Sequence, residues 1–81
     1  MSEFSSSTEF PLELFYPIEG IDHMNLRLTI GVDQGLFWVE SALVSREGSK
    51  IIRHLGNKHK LENQYDAVQA GLEVYQKFRQ F

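Results

Sequence analysis

The sequence contains no cysteine. That absence excludes disulfide staples, thiolate zinc sites and cysteine nucleophiles. No apolar run approaches the roughly 18 residues of a membrane span. The opening MSEFSSSTEF has neither the basic n-region nor the apolar h-region of a secretory leader, so a cytoplasmic location is expected. Only two prolines occur, and both lie within residues 10–21. The six glycines match no phosphate-binding loop and stand where turns are needed. No serine sits in a nucleophile elbow. His23, His54 and His59 lack the spacing of a zinc site, so no metal is expected.

What is present suits one small folded domain. The chain has 81 residues, 42% of them hydrophobic and 23% charged, which argues against global disorder. A domain of this size buries only about 60% of the surface its unfolded chain exposes, so a docked segment or a partner would help it. The net charge of −3 is unevenly spread. Residues 1–25 hold five acids and no Lys or Arg, whereas residues 46–60 hold five bases against Glu47. An acidic arm and a basic centre suggest self-complementarity or an acidic partner.

Residues 1–9 are polar and Ser-rich, and are expected to form a flexible tail. Residues 10–21 carry Phe10, Leu12, Leu14, Phe15, Tyr16, Ile18 and Ile21 with Pro11 and Pro17. The prolines argue against a helix or a central strand, and predict an extended apolar arm that must dock. A single domain is expected over residues 22–81.

Residues 24–32 alternate apolar and polar side chains, the period of a half-buried strand. Asp33-Gln34-Gly35 supplies turn chemistry, and residues 36–45 read as a second strand. Arg46-Glu47-Gly48-Ser49 reads as the next turn and residues 50–55 as a third strand. Residues 56–60 read as a basic loop or a short edge extension. Residues 63–80 place Tyr65, Val68, Leu72 and Tyr75 on one helical stripe, with Asn63 as N-cap. The expected fold is α+β: a two-layer β-β-β-α domain with a three-stranded antiparallel sheet, one C-terminal helix and the N-terminal arm.

Pairing the strands about Gln34-Gly35 and Glu47-Gly48 opposes Ile30 to Val39, Leu43 to Ile52 and Val44 to Ile51. One face then carries Met24, Leu26, Leu28, Ile30, Val32, Phe37, Val39, Leu43 and Ile52, for the helix to cover. His54 falls on that side with Ser41. The opposite face carries Arg27, Thr29, Trp38, Glu40, Ala42, Val44, Ile51, Arg53 and Leu55, too apolar to be left in water. The arm, a second copy or a different partner would cover it.

Glu40 has no specified acid–base partner, so no catalytic residue is assigned and a non-enzymatic module is expected, with no cofactor. The expected partner surface is Trp38 with Arg27, Val44, Ile51 and Arg53, for a protein partner or a homodimer. The alternative is single-stranded nucleic acid, bound with the help of Arg46, Lys50, Lys58 and Lys60. An overall acidic chain with one Trp weighs against it.

Asp33-Gln34-Gly35-Leu36-Phe37-Trp38-Val39-Glu40, followed by a loop and then Asn63-Gln64-Tyr65-Asp66-Ala67, resembles the β-β-β-α modules of HicB-like antitoxins. In that family an acidic-Gly hairpin leads to a Trp-Val strand, and a polar cap opens an amphipathic helix. The Leu-Pro-Gly-Cys segment typical of those antitoxins is absent; Ser45-Arg46-Glu47-Gly48 stands there instead. The resemblance spans about half the chain and implies the fold and a partner-binding habit. It carries over no toxin partner and no site residue.

Overall fold

A computed structural model describes residues 10–79. The expected flexible tail, residues 1–9, lies outside them. Strands β1 (Leu12–Ile18), β2 (Ile21–Asp33), β3 (Leu36–Ser45) and β4 (Ile51–Leu61) are followed by helix α1 (Gln64–Arg79). The strands form one antiparallel sheet in the order β1-β2-β3-β4. The sheet therefore has four strands, not three, and residues 10–21 are not a separate arm. Leu12, Leu14, Tyr16 and Ile18 are half-buried while Glu13, Phe15 and Pro17 are exposed, which is strand alternation. Pro17 is compatible with this because β1 is an edge strand, where a missing N–H breaks no ladder bond.

The first hairpin turns at Glu19-Gly20, where Gly20 has φ +83°, and Ile18 opposes Ile21. The second turns at Gln34-Gly35, with φ of 53° and 82°. Two left-handed residues in a two-residue loop match the right-handed twist of the flanking strands. Ile30 opposes Val39 as the sequence predicts, and Val32 opposes Phe37. The third connection is longer. Ser45 N–H donates to the Lys50 carbonyl (2.8 Å), and Gly48 N–H donates to the Ser45 carbonyl (2.8 Å). Lys50 N–H also donates to Ser45 Oγ (3.2 Å).

Helix α1 begins where expected. Asn63 Oδ1 accepts the Asp66 N–H at 2.8 Å, satisfying one of the orphan donors of the first turn. Lys77 and Arg79 occupy its last turn, where cations favour the helix dipole. The helix packs on β2, β3 and β4, and makes no comparable contact with β1. Leu26, Leu28, Ile30 and Val39 beneath it form the buried core with Ala67 of the helix itself. Each fully buried aliphatic side chain there contributes about 1.5–3 kcal/mol. Gly71 brings the helix axis close to the sheet, and Ser41 Oγ donates to the Gly71 carbonyl at 2.9 Å.

β4 differs from expectation. It runs through residues 56–60 to Leu61, and its register with β3 shifts at three places. Val44 opposes Ile51 as expected, but Leu43 opposes Arg53 rather than Ile52. The extra residue is a β-bulge, and it reverses the faces of the residues beyond it. Arg53 and Leu55 therefore turn toward the helix. The Arg53 guanidinium lies 5.0 Å from the Phe78 ring centroid, and Leu55 packs against the core. Ile52 leaves the core side and is 48% exposed. His54 opposes Ala42, not Ser41, and is exposed.

Candidate outer-face interface

The sheet has a second face without a helix. Its side chains fall in rows set by the strand register. Phe15, Arg27, Ala42 and His54 form one row, and Glu13, Thr29, Glu40 and Asn57 the next. Pro17, Asn25, Val44 and Ile51 lie toward the β3–β4 turn, and Gly31 with Trp38 toward the β2–β3 turn. No second layer of structure covers this face among the described residues.

The face instead covers itself in part. Trp38 folds against Gly31, where a Cβ would collide with the indole atoms Cζ2, Cε2 and Nε1. The absence of a side chain at Gly31 is what lets the ring lie down, and Trp38 is half-buried as a result. At the other end Phe15 meets the β3–β4 turn: a Cβ on Gly48 would stand 3.0 Å from Phe15 Cε1. Asn25 Nδ2 ties the same turn to β2 by donating to the Arg46 carbonyl (3.1 Å). Ala42 and Val44 are sealed under these groups, at 1% and 0% exposure.

Arg27 lies across the middle of the face. Its Nη1 is 3.8 Å from Glu13 Oε2, and only 15% of its side chain is exposed. Its Nε and the Thr29 hydroxyl are buried without a hydrogen-bond partner among the described residues. Such orphaned groups carry a desolvation cost. The accessible apolar surface comes from Phe15 (47%) and Ile51 (43%), with the uncovered part of Trp38.

Of the five residues expected to form a partner surface, four share this face: Trp38, Arg27, Val44 and Ile51. Arg53 does not, because the bulge before it turns it to the helix. Val44 shares the face but is fully buried, so it supports the surface without presenting anything to a partner. Phe15 and Glu13 also lie on this face, because residues 12–18 are a strand of the sheet and not a docking arm. The signal was there in the strict alternation of Leu12, Leu14, Tyr16 and Ile18.

The basic residues do not form one cluster. Arg46 and Lys50 stand at the β3–β4 connection, and Lys58 and Lys60 at the far end of β4. Eight residues separate Lys50 from Lys58, roughly 26 Å at strand rise. Among the described residues no group of three His, Asp or Glu side chains is placed to hold a metal ion. Glu40 is exposed on the outer face opposite Asn57. Among the described residues no helix is long and apolar enough to cross a membrane.

In comparisons with known proteins, no family model matches this chain, and no curated protein or solved structure matches it.

Proposed function

We propose that this is a small non-enzymatic protein-interaction module, cytoplasmic and self-associating through the outer face of its sheet. One observation carries the reading. A four-stranded sheet has one helix to cover it, and the uncovered face presents Phe15 and Ile51 near the β3–β4 turn and Trp38 near the β2–β3 turn. Apolar groups exposed on a sheet face that no layer covers mark an interaction site. Trp38 is the anchor, as buried Trp and Arg dominate interface energetics. Arg27 and Glu13 supply opposite charges in the middle of the face, so two copies related by a twofold axis can exchange them. The HicB-like pattern in the hairpin and the helix cap supports a partner-binding habit.

The test is the solution mass measured against concentration, for the parent chain and for Trp38→Ala. The expected result is a concentration-dependent dimer that the substitution weakens by about 2 kcal/mol, close to thirtyfold in Kd, with the unfolding midpoint little changed. A parent chain that stays monomeric throughout overturns self-association.

A second reading is single-stranded nucleic-acid binding, and Phe15 favours it. With β1 in the sheet the face has two aromatics rather than one, with Arg27 between them. Stacking rings interleaved with cations suit unpaired bases. Binding of an oligonucleotide that falls steeply with added salt is the expected signature.

A further inference from the structure

Away from the outer face, the two edges of the sheet differ in a way that points to a second binding site. β1 is one edge and β4 the other. Pro11 and Pro17 stand immediately before and within β1, and neither can donate to an incoming strand. Proline on an edge is a device against sheet extension. β4 has no proline in its 11 residues and is paired only with β3. Its outward backbone groups are the unused ladder of the sheet.

Beside that edge lies a cleft of about 320 Å³ between β4 and α1. Leu55, Val74 and Phe78 supply its apolar part, and Lys58, Lys77 and Glu73 its polar part. Arg53 adds a guanidinium at Phe78. From Gly48 to Leu61 the chain has Lys50, Arg53, Lys58 and Lys60 and no acid. A second copy of β4 would bring like charges together, which opposes self-pairing. The same lysines attract a strand of opposite charge. An edge strand flanked by a helix is the arrangement in which an extended peptide adds to a sheet: the ladder gives affinity, and alternate side chains enter the cleft.

We infer that β4 and the β4–α1 cleft take an acidic, extended segment of another protein as a fifth strand. An apolar side chain of that segment sits on Leu55, Val74 and Phe78, and its carboxylates meet Lys58, Lys77 and Arg53. This site is separate from the outer face and stands without it.

The probe is the nine-residue capped peptide Glu-Thr-Leu-Thr-Glu-Thr-Leu-Thr-Glu, which puts its Glu and Leu side chains on one face of an extended strand, added to the full ¹⁵N-labelled chain. Binding is expected to slow hydrogen exchange at β4 amides and to shift resonances of Val74 and Phe78. The same peptide with alternate backbone amides N-methylated keeps its charge but loses ladder bonds, and is expected to bind at least about tenfold more weakly. The double substitution Lys58→Glu with Lys77→Glu is expected to weaken binding by at least as much. Trp38→Ala is expected to leave it unchanged, which separates this site from the outer-face reading. Three results overturn the inference: no binding at millimolar peptide, equal binding of the N-methylated peptide, or tighter binding of a twelve-nucleotide oligothymidylate at the same cleft.

Discussion

The indole of Trp38 rests where the side chain of residue 31 would be, and Gly31 makes that possible. The two residues are cross-strand partners in β2 and β3. Gly31 is buried under the ring. In Gly31→Val the β-branched side chain suits a strand, but it occupies the space of the indole. The ring must leave the sheet, exposing apolar surface at both positions. Overpacking of this kind costs about 1–3 kcal/mol. Urea unfolding measures that loss. A red shift of the single Trp emission reports the displacement directly, and an unshifted spectrum would contradict the packing described.

Gly71→Ala sets two known effects against each other. In an exposed helix interior the change gains about 1 kcal/mol of helix propensity. At Gly71, however, a Cβ would lie 2.8 Å from Leu28 Cδ2 and 3.0 Å from Val39 Cγ2, both on fully buried side chains. Both neighbours belong to the close-packed core, so overpacking of about 1–3 kcal/mol is set against that gain. The expected outcome is a net loss of up to about 2 kcal/mol by urea unfolding. Ser41→Ala removes the 2.9 Å bond to the same carbonyl and adds no atoms. It is expected to cost about 1 kcal/mol.

These contacts show what sequence patterns do and do not encode. The alternation in residues 24–32 and the Gln34-Gly35 turn place Leu28, Ile30 and Val39 on one face, because period and turn type together define a register. Asn63 is legible as a cap for the same local reason. β1 was hidden by its prolines, which exclude a central strand but not an edge. β4 departs from the sequence pattern at its bulges. An extra residue between two strands leaves no mark in the composition, yet it exchanged Ile52 and Arg53 between faces. Trp38 was legible as an outer-face residue. Its bed on Gly31 and the arrival of Phe15 depend on contacts that no local pattern states.

Ser45 closes the β3–β4 connection, and its hydroxyl also reaches an acid. Glu47 has its carboxyl held below the ordinary carboxylate range, first by a backbone N–H bond, then by the Ser45 hydroxyl, with Arg46 adding a smaller attraction. A depressed folded-state value favours the folded turn while Glu47 is ionised. That contribution is present above the unfolded-state value and is lost as the pH falls through the folded one. In Ser45→Ala the carboxyl is expected to titrate at higher pH, by part of the shift only, since the backbone bond remains. A carboxyl-carbon NMR titration of Glu47 checks the direction. The Lys50 N–H loses its 3.2 Å acceptor in the same variant, so faster exchange at Lys50 is the accompanying result.

Arg27→Met tests whether the central arginine serves the fold or a partner. The aliphatic stem of Arg27 covers sheet surface, and Met retains that cover. The lost pair with Glu13 is long, at 3.8 Å, and Glu13 is half exposed, so it contributes less than about 1 kcal/mol. Against that, the substitution removes a buried Nε that has no partner among the described residues. Relief of such a group is worth about 1–3 kcal/mol. The expected stability change runs from zero to a gain of about 3 kcal/mol by urea unfolding. Association through the outer face is expected to weaken in the same protein, because its one central cation is gone. A variant that unfolds more easily by over about 2 kcal/mol would make Arg27 a structural element of the monomer. A residue that costs the monomer nothing to lose, while its loss breaks the dimer, is placed for recognition.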